Sequence, residues 1–469
     1  MDIVTFKKLL TSTDKAHNAF MSKASEGTNY YHNNSGIRRT GTAAIDEVNN
    51  YLKKLGKNPL KTADNRIPTN WHKIITDQKV GYLFTYPPQF DTKAKDAGKT
   101  LSEVLGGKFA KVIKQLGIHA TNCGVGWLAY WYGVDENDDG EFHYWYIDPS
   151  QIRVVFDSAS AEPIIKQLIR QWDEVISDDK TVTHYELWDK DQVMYFRSEN
   201  GAEPSVNTEK GESGIIKHTY GRIPFIPFRN NADSTGDLSM YKEIVDSIDK
   251  LVSGFANDID DLQEIIWVIK NYAGEFSEED YDKDGNIVTR DIDLLQKLKA
   301  RKLINVDGDG GIDTITGEIP YEARKEFLDI LKSQLYISAM AVDPFPSAVG
   351  QASGVYIDFL YSLLELKAGL METEFRASLD ELAEAVFRYK NIEPAPIEQI
   401  WTRNKPRNDT EVAQIIASTP EDVLSSESKT KAHPLTENWQ EERKRIDEEK
   451  AAQAKRYEDL IPPTGGDGE

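Results

Sequence analysis

Apolar residues recur along this chain with two different periods, which divide it into helical and sheet-forming regions. Apolar positions spaced by three and four residues predict amphipathic helices at 65–90, 100–116, 238–270, 320–341 and 355–390. Between residues 118 and 230 the period changes to two, and short apolar runs alternate with turns rich in Gly, Asn and Asp. This second pattern predicts an antiparallel meander, so the fold class is α+β.

The strands of the meander are delimited by their turn residues. They are predicted at 126–132, 142–147, 152–156, 164–172, 181–188 and 192–197. The following segment, 222–228, contains Pro224 and Pro227. Because proline lacks the backbone donor that a central strand uses, this segment is excluded from the middle of a sheet.

The longest amphipathic pattern, at 238–270, predicts one helix of about 50 Å. A helix of this length needs a partner along its apolar stripe, and the helix at 320–341 can supply it. The insert between the two helices, 271–319, is rich in Asp and Gly turns and is predicted to form a small head. We interpret the acidic side of the first helix as a solvated or channel-facing surface formed by Glu243, Asp246, Asp249, Asp258, Asp260, Asp261 and Glu264.

A loop rich in proline and glycine joins the helix at 320–341 to the long helix that begins near Val355. Connections between packed helices usually have about two to eight residues, and the loop at 342–354 is longer. We therefore expect a moving part there. The residues expected to form this moving part are Asp343, Pro344, Phe345, Pro346, Ser347, Val349, Gln351 and Ser353. Gly354 is expected to form the corner between loop and helix with a positive φ.

The remaining segments are more polar. Residues 1–60 are polar with helical patches and are predicted as a peripheral arm, at 1–29, or as surface helices. We further predict a strand at 397–402, polar helices at 409–418 and 437–457, and a disordered tail at 458–469. A short basic patch stands out in the acidic chain. Lys297, Lys299, Arg301 and Lys302 either meet phosphate or an acidic partner, or form a solvated helix end.

Composition narrows the possible partners. The chain has 469 residues, with 56 basic and 78 acidic residues and a formal charge of −22, and its length predicts several domains. This balance argues against sequence-independent wrapping of DNA, although a like-charged wall lets DNA pass with weak contact. The single cysteine, Cys123, excludes an internal disulfide. Neither a signal peptide nor an apolar run of about 18 residues is present, so we expect a cytosolic protein when it is made.

No pattern in the sequence predicts a cofactor, a resident metal or a catalytic residue. The string Asp135-x-Asn137-x-Asp139 begins like a calcium loop, but Tyr146 occupies the position of the closing glutamate. The carboxylates at 258–264 lack a second motif for metal-dependent chemistry. We therefore expect no catalysis by this chain, with a metal-dependent enzyme that uses the carboxylates at 258–264 kept as an alternative.

Four segments, in order, resemble the portal proteins of long-tailed bacteriophages of Gram-positive hosts, and the resemblance covers most of residues 30–455. Asn65-Arg66-Ile67-Pro68-x-Asn70 with Asp77-x-Lys79-x-Gly81-Tyr82-Leu83 is similar to the N-terminal signature of that family. The start of its stem resembles Asn230-Asn231, Gly236-Asp237-Leu238, Ile248-Asp249-Lys250-Leu251 and Ala256-Asn257-Asp258. The segment after its tunnel loop resembles Ser353-Gly354-Val355 and Leu363-x-x-Leu366-Lys367-Ala368. Its crown resembles His433-Pro434-Leu435 with the Glu/Arg-rich helix that follows.

The resemblance implies the phage portal fold, with long stem helices, a β-rich wing, a small mixed α/β clip and a helical crown. It implies an N-terminal arm at 1–29, the wing at 30–237 and 355–405, stem helices at 238–270 and 320–341, the clip at 271–319, the tunnel loop at 342–354, the crown at 406–457 and a disordered tail at 458–469.

The resemblance also implies a function. Such proteins form a homo-oligomeric ring, usually of twelve subunits, at one capsid vertex, where double-stranded DNA passes during packaging and ejection. The implied partners are the terminase large subunit, a head-completion adaptor, and the major capsid and scaffolding proteins, with no membrane. The implied location is the virion, and the host cytoplasm during assembly. Two alternatives stay open: a metal-dependent nucleic-acid enzyme that uses the carboxylates at 258–264, and a capsid scaffold module that does not contact DNA.

Overall fold

The computed structural model divides the chain into two compact units. The first contains residues 1–32, 70–241 and 335–469, and the second contains 33–69 and 242–334. The residues described are 3–39, 63–92, 95–132, 140–157, 159–160, 163–211, 213–261, 266–270, 311–315, 320–343, 354–393, 396–405, 409–420, 422–436 and 439–460. Among the helices so described, none combines the length and the apolar character needed to span a lipid bilayer.

The helices are, in chain order, α1 (Ile3–Tyr31), α2 (Gly36–Arg39), α3 (Trp71–Phe84), α4 (Lys95–Leu105), α5 (Phe109–Cys123), α6 (Lys242–Asp261), α7 (Tyr321–Ala339), α8 (Gly354–Lys390), α9 (Asp409–Ser418), α10 (Ser426–Ala432) and α11 (Trp439–Leu460). Helix α8 follows the predicted tunnel loop and begins at its predicted corner, Gly354; the positive φ expected there stays a prediction. The polar helix predicted at 409–418 has the predicted bounds.

The strands are β1 (Gln89–Thr92), β2 (Val125–Tyr132), β3 (Phe142–Ile147), β4 (Ile152–Phe156), β5 (Ile165–Ser177), β6 (Lys180–Trp188), β7 (Gln192–Glu199), β8 (Ser205–Val206), β9 (Ile215–Lys217), β10 (Phe225–Arg229), β11 (Ile266–Lys270), β12 (Gly311–Ile315) and β13 (Ile397–Ile400). In the first unit, β4 to β8 form one antiparallel sheet, in which β9 also pairs with β7. A second sheet has the order β10-β2-β3, and β1 pairs with β13. The predicted antiparallel strands are therefore confirmed, but they form two sheets and not one continuous meander, because β3 and β4 belong to different sheets.

The proline-containing strand lies at a sheet edge, as its missing donors require. Pro227 of β10 is the register partner of Trp127 of β2, and β2 is followed by β3 on its other side. An edge position leaves one side of β10 without a strand partner, where the absent N–H costs no ladder bond.

The main core of the first unit joins helices α3, α4, α5 and α8 to the β10-β2-β3 sheet. Phe84 of α3, Phe228 of β10 and Phe375 of α8 meet there, with the ring of Phe375 centred 5.2 Å from that of Phe84 and 5.0 Å from that of Phe228. All three side chains are 0% exposed. Since aromatic pairs at such distances add stabilisation beyond area burial, α8 is firmly fixed to the sheet.

The N-terminal residues, predicted as a peripheral arm or as surface helices, pack against the sheet of the first unit. They form most of α1, whose Phe6 is 0% exposed and stacks on Phe196 of β7 with ring centroids 3.9 Å apart. Leu187 and Met194 belong to the same buried cluster. Helix α1 is therefore part of the sheet-containing unit, and its polar composition reflects only its solvated side.

The single helix predicted at 100–116 is two helices, α4 and α5. Gly106 has a φ of +57° and its N–H bonds to the carbonyl of Ser102, which ends α4. Leu105 and Phe109, on either side of the break, are both buried. Because the apolar spacing continues across the break, periodicity alone could not reveal it.

The second unit contains α2, α6, the antiparallel pair β11-β12 and residues 321–334 of α7. The prediction of one helix through 238–270 is wrong at both ends. Asp237–Met240 is a 3₁₀ turn, and Ile266–Lys270 is a strand whose register runs from Ile266 opposite Ile315 to Lys270 opposite Gly311. The run Ile-Trp-Val-Ile favours a strand, because β-branched and aromatic side chains suit a pleated surface.

Candidate functional site

Two lysines and one aspartate form a buried charge cluster in the first unit. Lys79 of α3, Asp237 of the 3₁₀ turn and Lys367 of α8 are 1%, 3% and 4% exposed. The Nζ atoms of Lys79 and Lys367 lie 3.2 Å and 2.8 Å from Oδ2 of Asp237. Asn230 accepts a hydrogen bond of 2.7 Å from Lys79 and donates one of 2.7 Å to Asp237. These four residues are called the anchor cluster below.

The anchor cluster holds two ammonium groups against one carboxylate. Burial lowers the pKa of Lys79 to about 8, because desolvation disfavours its charged form. Burial alone would raise the pKa of Asp237, but the ammonium groups of Lys367 and Lys79 hold that pKa well below its ordinary value. Asp237 therefore stays ionised, and its carboxylate offsets part of the positive charge that α3 and α8 bring into the interior.

A neutral histidine extends the anchor cluster toward α5. His72 of α3 donates from Nε2 to Oδ1 of Asn122 at 3.0 Å, and its Nδ1 accepts from the hydroxyl of Tyr241 at 2.7 Å. Burial lowers the pKa of His72 to about 4. Both ring nitrogens thus have a hydrogen-bond partner while the imidazole is neutral, so no further positive charge is buried.

The end of α7 is fixed by the same part of the first unit. Lys367 donates from Nζ to the carbonyl of Ala339 at 2.8 Å. The side-chain amide of Gln78 binds Val342 twice, since its Nε2 donates to the carbonyl at 2.8 Å and its Oε1 accepts from the N–H at 2.9 Å. The chain therefore leaves a fixed point, Val342, where the predicted tunnel loop begins.

Two glycines allow the backbone to approach the anchor cluster closely. A Cβ on Gly236 would lie 2.6 Å from the carbonyl oxygen of Asn122. Gly124 has a φ of +88°, and a Cβ there would lie 2.0 Å from the carbonyl oxygen of Ser234. Any other residue at either position would push the 234–237 segment away from α5, and with it Asp237.

In the second unit, an extended segment is held along α6 by a ladder of side-chain acceptors. The backbone N–H groups of residues 65, 67 and 69 donate to the side chains of residues 257, 253 and 249. The three bonds are Asn65 to Asn257 at 2.5 Å, Ile67 to Ser253 at 3.0 Å and Thr69 to Asp249 at 2.7 Å. Alternate donors of an extended chain lie about 6.6 Å apart and helix positions four apart lie about 6 Å apart, so the two spacings match.

The ladder explains why a proline is tolerated within the extended segment. Pro68 has no N–H, but it lies between two ladder donors, residues 67 and 69, so its missing N–H removes none of the three bonds. Asp249, at one end of the ladder, is 0% exposed and also accepts from the hydroxyl of Ser35 at 2.5 Å and from the hydroxyl of Thr69. The carboxylate thus ties α6 to two segments of the second unit.

A group of surface ion pairs in the first unit fixes the segment that follows β13 and precedes the predicted crown. Arg403 binds both carboxylate oxygens of Glu365 and also pairs with Glu372 of α8 at 2.5 Å. The hydroxyl of Tyr82 donates to the same Glu365 at 2.5 Å. The hydrogen bond from Arg403 lowers the pKa of Glu365 and outweighs the desolvation that would raise it.

The predicted acidic surface on α6 is only partly as expected. Glu243 and Asp260 are exposed, and Asp260 accepts a hydrogen bond from the side chain of Asn65 at 2.6 Å. Asp246 pairs with Lys242 at 2.7 Å, and Asp258 pairs with Arg324 of α7. For Asp249 the prediction of an exposed acid is wrong, because its carboxylate is consumed by the ladder.

Several candidate residues lie outside the described residues. They are Glu264 and the side chain of Asp261, the basic patch at Lys297, Lys299, Arg301 and Lys302, and the loop residues Pro344, Phe345, Pro346, Ser347, Val349, Gln351 and Ser353. Asp343 is described and is exposed. Within the residues that the structure describes, no group of three His, Cys, Asp or Glu side chains is arranged to hold a metal ion.

Sequence reasoning missed the anchor cluster as a unit. Lys79 and Lys367 each lie in a recognised signature, yet nothing local indicates that both side chains turn inward to Asp237. One signal existed: Lys79 occupies a position on the apolar side of its helix, where a lysine is rare unless paired. Gln78 carried no comparable signal.

Comparison with known proteins places these features in a family. The model of the family described as phage portal protein, SPP1 Gp6-like, matches residues 12–456. The portal protein of Clostridium phage phiCD119 is 34% identical over 454 residues, covering 92% of this chain and 94% of that protein. The portal protein of Bacillus phage SPP1 is 29% identical over 424 residues, covering 86% and 80%.

Solved structures were compared as well. A chain in the neck of a native GTA particle, computed with C12 symmetry, is 14% identical with a TM-score of 0.40, covering 76% of this chain and 86% of that one. A chain in the neck of an empty GTA particle, computed with C6 symmetry, is 13% identical with a TM-score of 0.43, covering 78% and 89%. On the family match along residues 12–456 and the 34% identity to a portal protein over nearly the full length of both chains, this chain belongs to the SPP1 Gp6-like family of phage portal proteins.

Proposed function

We propose that copies of this chain form a ring at one vertex of a phage capsid, through which double-stranded DNA is packaged and ejected. The observation that carries the proposal is the family match, which runs from residue 12 to residue 456 and so includes the predicted wing, stem helices, clip and tunnel loop and all but the last residue of the predicted crown. The ring has about twelve copies, the number usual for the family that the sequence resembles. It belongs to the virion and is assembled in the host cytoplasm.

The anchor cluster has a defined task in this proposal. Lys367 and Gln78 bind the backbone of Ala339 and Val342, immediately before the predicted tunnel loop. Asp237 lies immediately before α6, the predicted first stem helix. In this proposal the wing therefore holds the start of the loop at a fixed point. A loop that starts from a fixed base can move against DNA without loosening the wing.

The acid-rich composition suits a conduit. With a net charge of −22 per copy, a ring of many copies repels phosphate from its wall, and weak contact lets DNA slide. We propose the terminase large subunit as the packaging partner, a head-completion adaptor as the later partner, and the major capsid and scaffolding proteins as neighbours in the shell. The chain supplies no catalysis and binds no cofactor in this role.

The alternative of a metal-dependent nucleic-acid enzyme is less well supported. Its candidate carboxylates would have to be free to bind metal, but Asp258 pairs with Arg324 and Asp260 accepts from Asn65. These contacts give both acids a structural role in the second unit. Nothing comparable favours the capsid scaffold module over the portal.

Electron microscopy of the purified protein tests the ring. We expect class averages with a central hole and rotational symmetry, and a solution mass that is a multiple of 53.1 kDa. A protein that stays a monomer at all salt and protein concentrations, and also in the presence of scaffolding protein, would contradict the proposal. DNA filling of particles tests the conduit: deletion of residues 343–353 is expected to abolish filling, whereas unchanged filling would favour the scaffold module.

A further inference from the structure

Between Phe359 and Ala377, the exposed residues on one side of helix α8 are uncharged, and the partly buried Glu374 lies at the margin of this side. Phe359, Leu363, Leu366 and Leu370 are 72%, 39%, 63% and 60% exposed. They are spaced by four, three and four residues and therefore lie along one side of the helix. Continuing the same spacing, Thr373 and Ala377 are also exposed. We call the exposed residues from Phe359 to Ala377 on this side the α8 face.

The hydroxyl groups on the α8 face do not need water as a hydrogen-bond acceptor. Ser362 donates to the carbonyl of Phe359 at 2.7 Å, and Thr373 donates to the carbonyl of Gly369 at 2.9 Å, both within the helix itself. A Cβ on Gly369 would meet nothing within 4 Å, so the space beside it is open. The face can thus be covered closely without leaving an unsatisfied donor, which is the usual cost of burying polar side chains.

Acidic residues beside the α8 face are neutralised by the segment that follows β13. Asp358 pairs with Lys405, and Glu365 pairs with Arg403 at 2.8 Å. The chain as a whole carries a net charge of −22, so identical copies repel one another wherever their acids are unpaired. Because its exposed residues are uncharged and the acids at Asp358 and Glu365 are paired, this is a surface at which two copies can approach.

We propose that the α8 face is a contact surface between neighbouring copies of this chain. This inference rests on the ring proposed above and identifies a part of its subunit interface. In a closed ring each copy meets its two neighbours through two different surfaces, so the α8 face of one copy packs on a different surface of the next. The eighteen residues of rise make the face about 27 Å long and, at a helix width of about 10 Å, roughly 270 Å² in extent.

This extent decides how much of the interface the face represents. A specific interface buries about 800 Å² on each partner, so the α8 face supplies roughly a third of one. Placing a charge in its centre should therefore weaken assembly without disturbing the fold of one copy.

The first experiment compares Leu366→Glu with Val175→Glu. Val175 of β5 is a matched control because it is an apolar residue of the same unit and 73% exposed. We expect Leu366→Glu to weaken association on the order of 100-fold, since an unpaired carboxylate would be buried, and Val175→Glu to leave it unchanged. Both variants should keep the circular dichroism of the parent. Mass photometry over a concentration series gives the result, and unchanged assembly of Leu366→Glu would overturn the inference.

A second measurement reads the burial of the face directly. In a Cys123→Ala background, Leu370→Cys and Val175→Cys are labelled with a thiol reagent in the monomeric and assembled protein. We expect labelling at position 370 to slow on the order of tenfold or more on assembly, and labelling at 175 to stay the same. Rings in which position 370 labels as fast as in the monomer would overturn this inference and leave the proposed ring intact.

The other possible occupants give different labelling patterns. Slow labelling at position 370 already in the monomer would mean that a segment of the same chain covers the face. Protection that appears only when a capsid or adaptor protein is added to preformed rings would assign the face to that partner. Either pattern contradicts a contact between copies. Complete absence of rings would contradict the proposed function as well.

Discussion

Replacement of Asp237 by asparagine tests whether one carboxylate holds the anchor cluster together. The substitution preserves the size of the side chain and its contact with Asn230 but removes the negative charge. Two ammonium groups, 3.2 Å and 2.8 Å from Oδ2 in the parent, would then be buried without compensation. Removing one partner of a buried ion pair costs about 3–5 kcal/mol, because the remaining charge stays desolvated.

This cost predicts a measurable fall in thermal stability. A domain of 150–250 residues loses about 2–4 °C of Tm per kcal/mol, and the first unit is larger, so about 2 °C per kcal/mol applies. We therefore expect Asp237→Asn to lower Tm by about 6–10 °C in differential scanning calorimetry at matched protein concentration. Asp233→Asn, at an exposed position four residues earlier, is the control and should leave Tm unchanged.

A double variant distinguishes charge imbalance from simple loss of contacts. Lys79→Met leaves Asp237 paired with Lys367, so it should cost less than Asp237→Asn, although Asn230 loses a donor worth about 1–3 kcal/mol. Combining the two removes one positive charge along with the negative one. The double variant should therefore be more stable than the sum of the single effects predicts, by about 1–3 kcal/mol. Additive effects, or a Tm of Asp237→Asn equal to that of the parent, would refute the reasoning.

Three further predictions concern single contacts. Because burial lowers the pKa of Lys79 from its ordinary 10.5 to about 8 in the folded protein, the unfolded chain binds more protons at this group between those limits. The stability of the parent relative to that of Lys79→Met should therefore rise by on the order of 3 kcal/mol as pH increases from 8 to 10.5 in chemical denaturation, and a difference that does not change with pH would contradict this reasoning. Asp249→Ala should destabilise the second unit by about 2–4 kcal/mol in urea titrations, whereas Glu243→Ala, at an exposed site on the same helix, should change it by less than about 0.5 kcal/mol; equal effects would contradict the ladder. Gln78→Leu should speed amide hydrogen exchange at Val342, and an unchanged rate there would mean that the side-chain amide does not hold the backbone.

Much of the fold of the first unit could be predicted from the sequence, because its strands alternate and its turns carry glycine, asparagine and aspartate. The strand at Phe142–Ile147 has the bounds that the alternation predicts. The placement of Pro227 at a sheet edge follows from the chemistry of one residue. Local rules suffice in these cases because each strand is decided by its own side chains.

The errors occur where local rules give two answers. Ile266–Lys270 fits a helix by its spacing to the preceding residues and a strand by its branched side chains, and pairing with Gly311–Ile315 decides for the strand. Phe6 reads as part of a polar arm until β7 provides an aromatic partner for it. Both outcomes depend on residues distant in the chain.

The candidate site was even less accessible to sequence reasoning. An aspartate on an amphipathic helix, such as Asp249, reads as solvated unless its hydrogen-bond donors are known, and these donors lie at Ser35 and Thr69. The role of Lys367 likewise becomes evident only from its contacts with Asp237 and Ala339. Polar burial is decided by partners brought together by the fold, so resemblance to a family located these residues but did not explain them.

The ladder along α6 has a mechanical consequence. Its three main-chain bonds, from residues 65, 67 and 69, share one spacing, so a shift of the extended segment by a single residue would mismatch all of them at once. A force along the helix axis is shared by the three hydrogen bonds in shear. The three bonds must therefore break together and not one after another. The extended segment therefore resists sliding along α6 far more strongly than it resists being peeled away from one end.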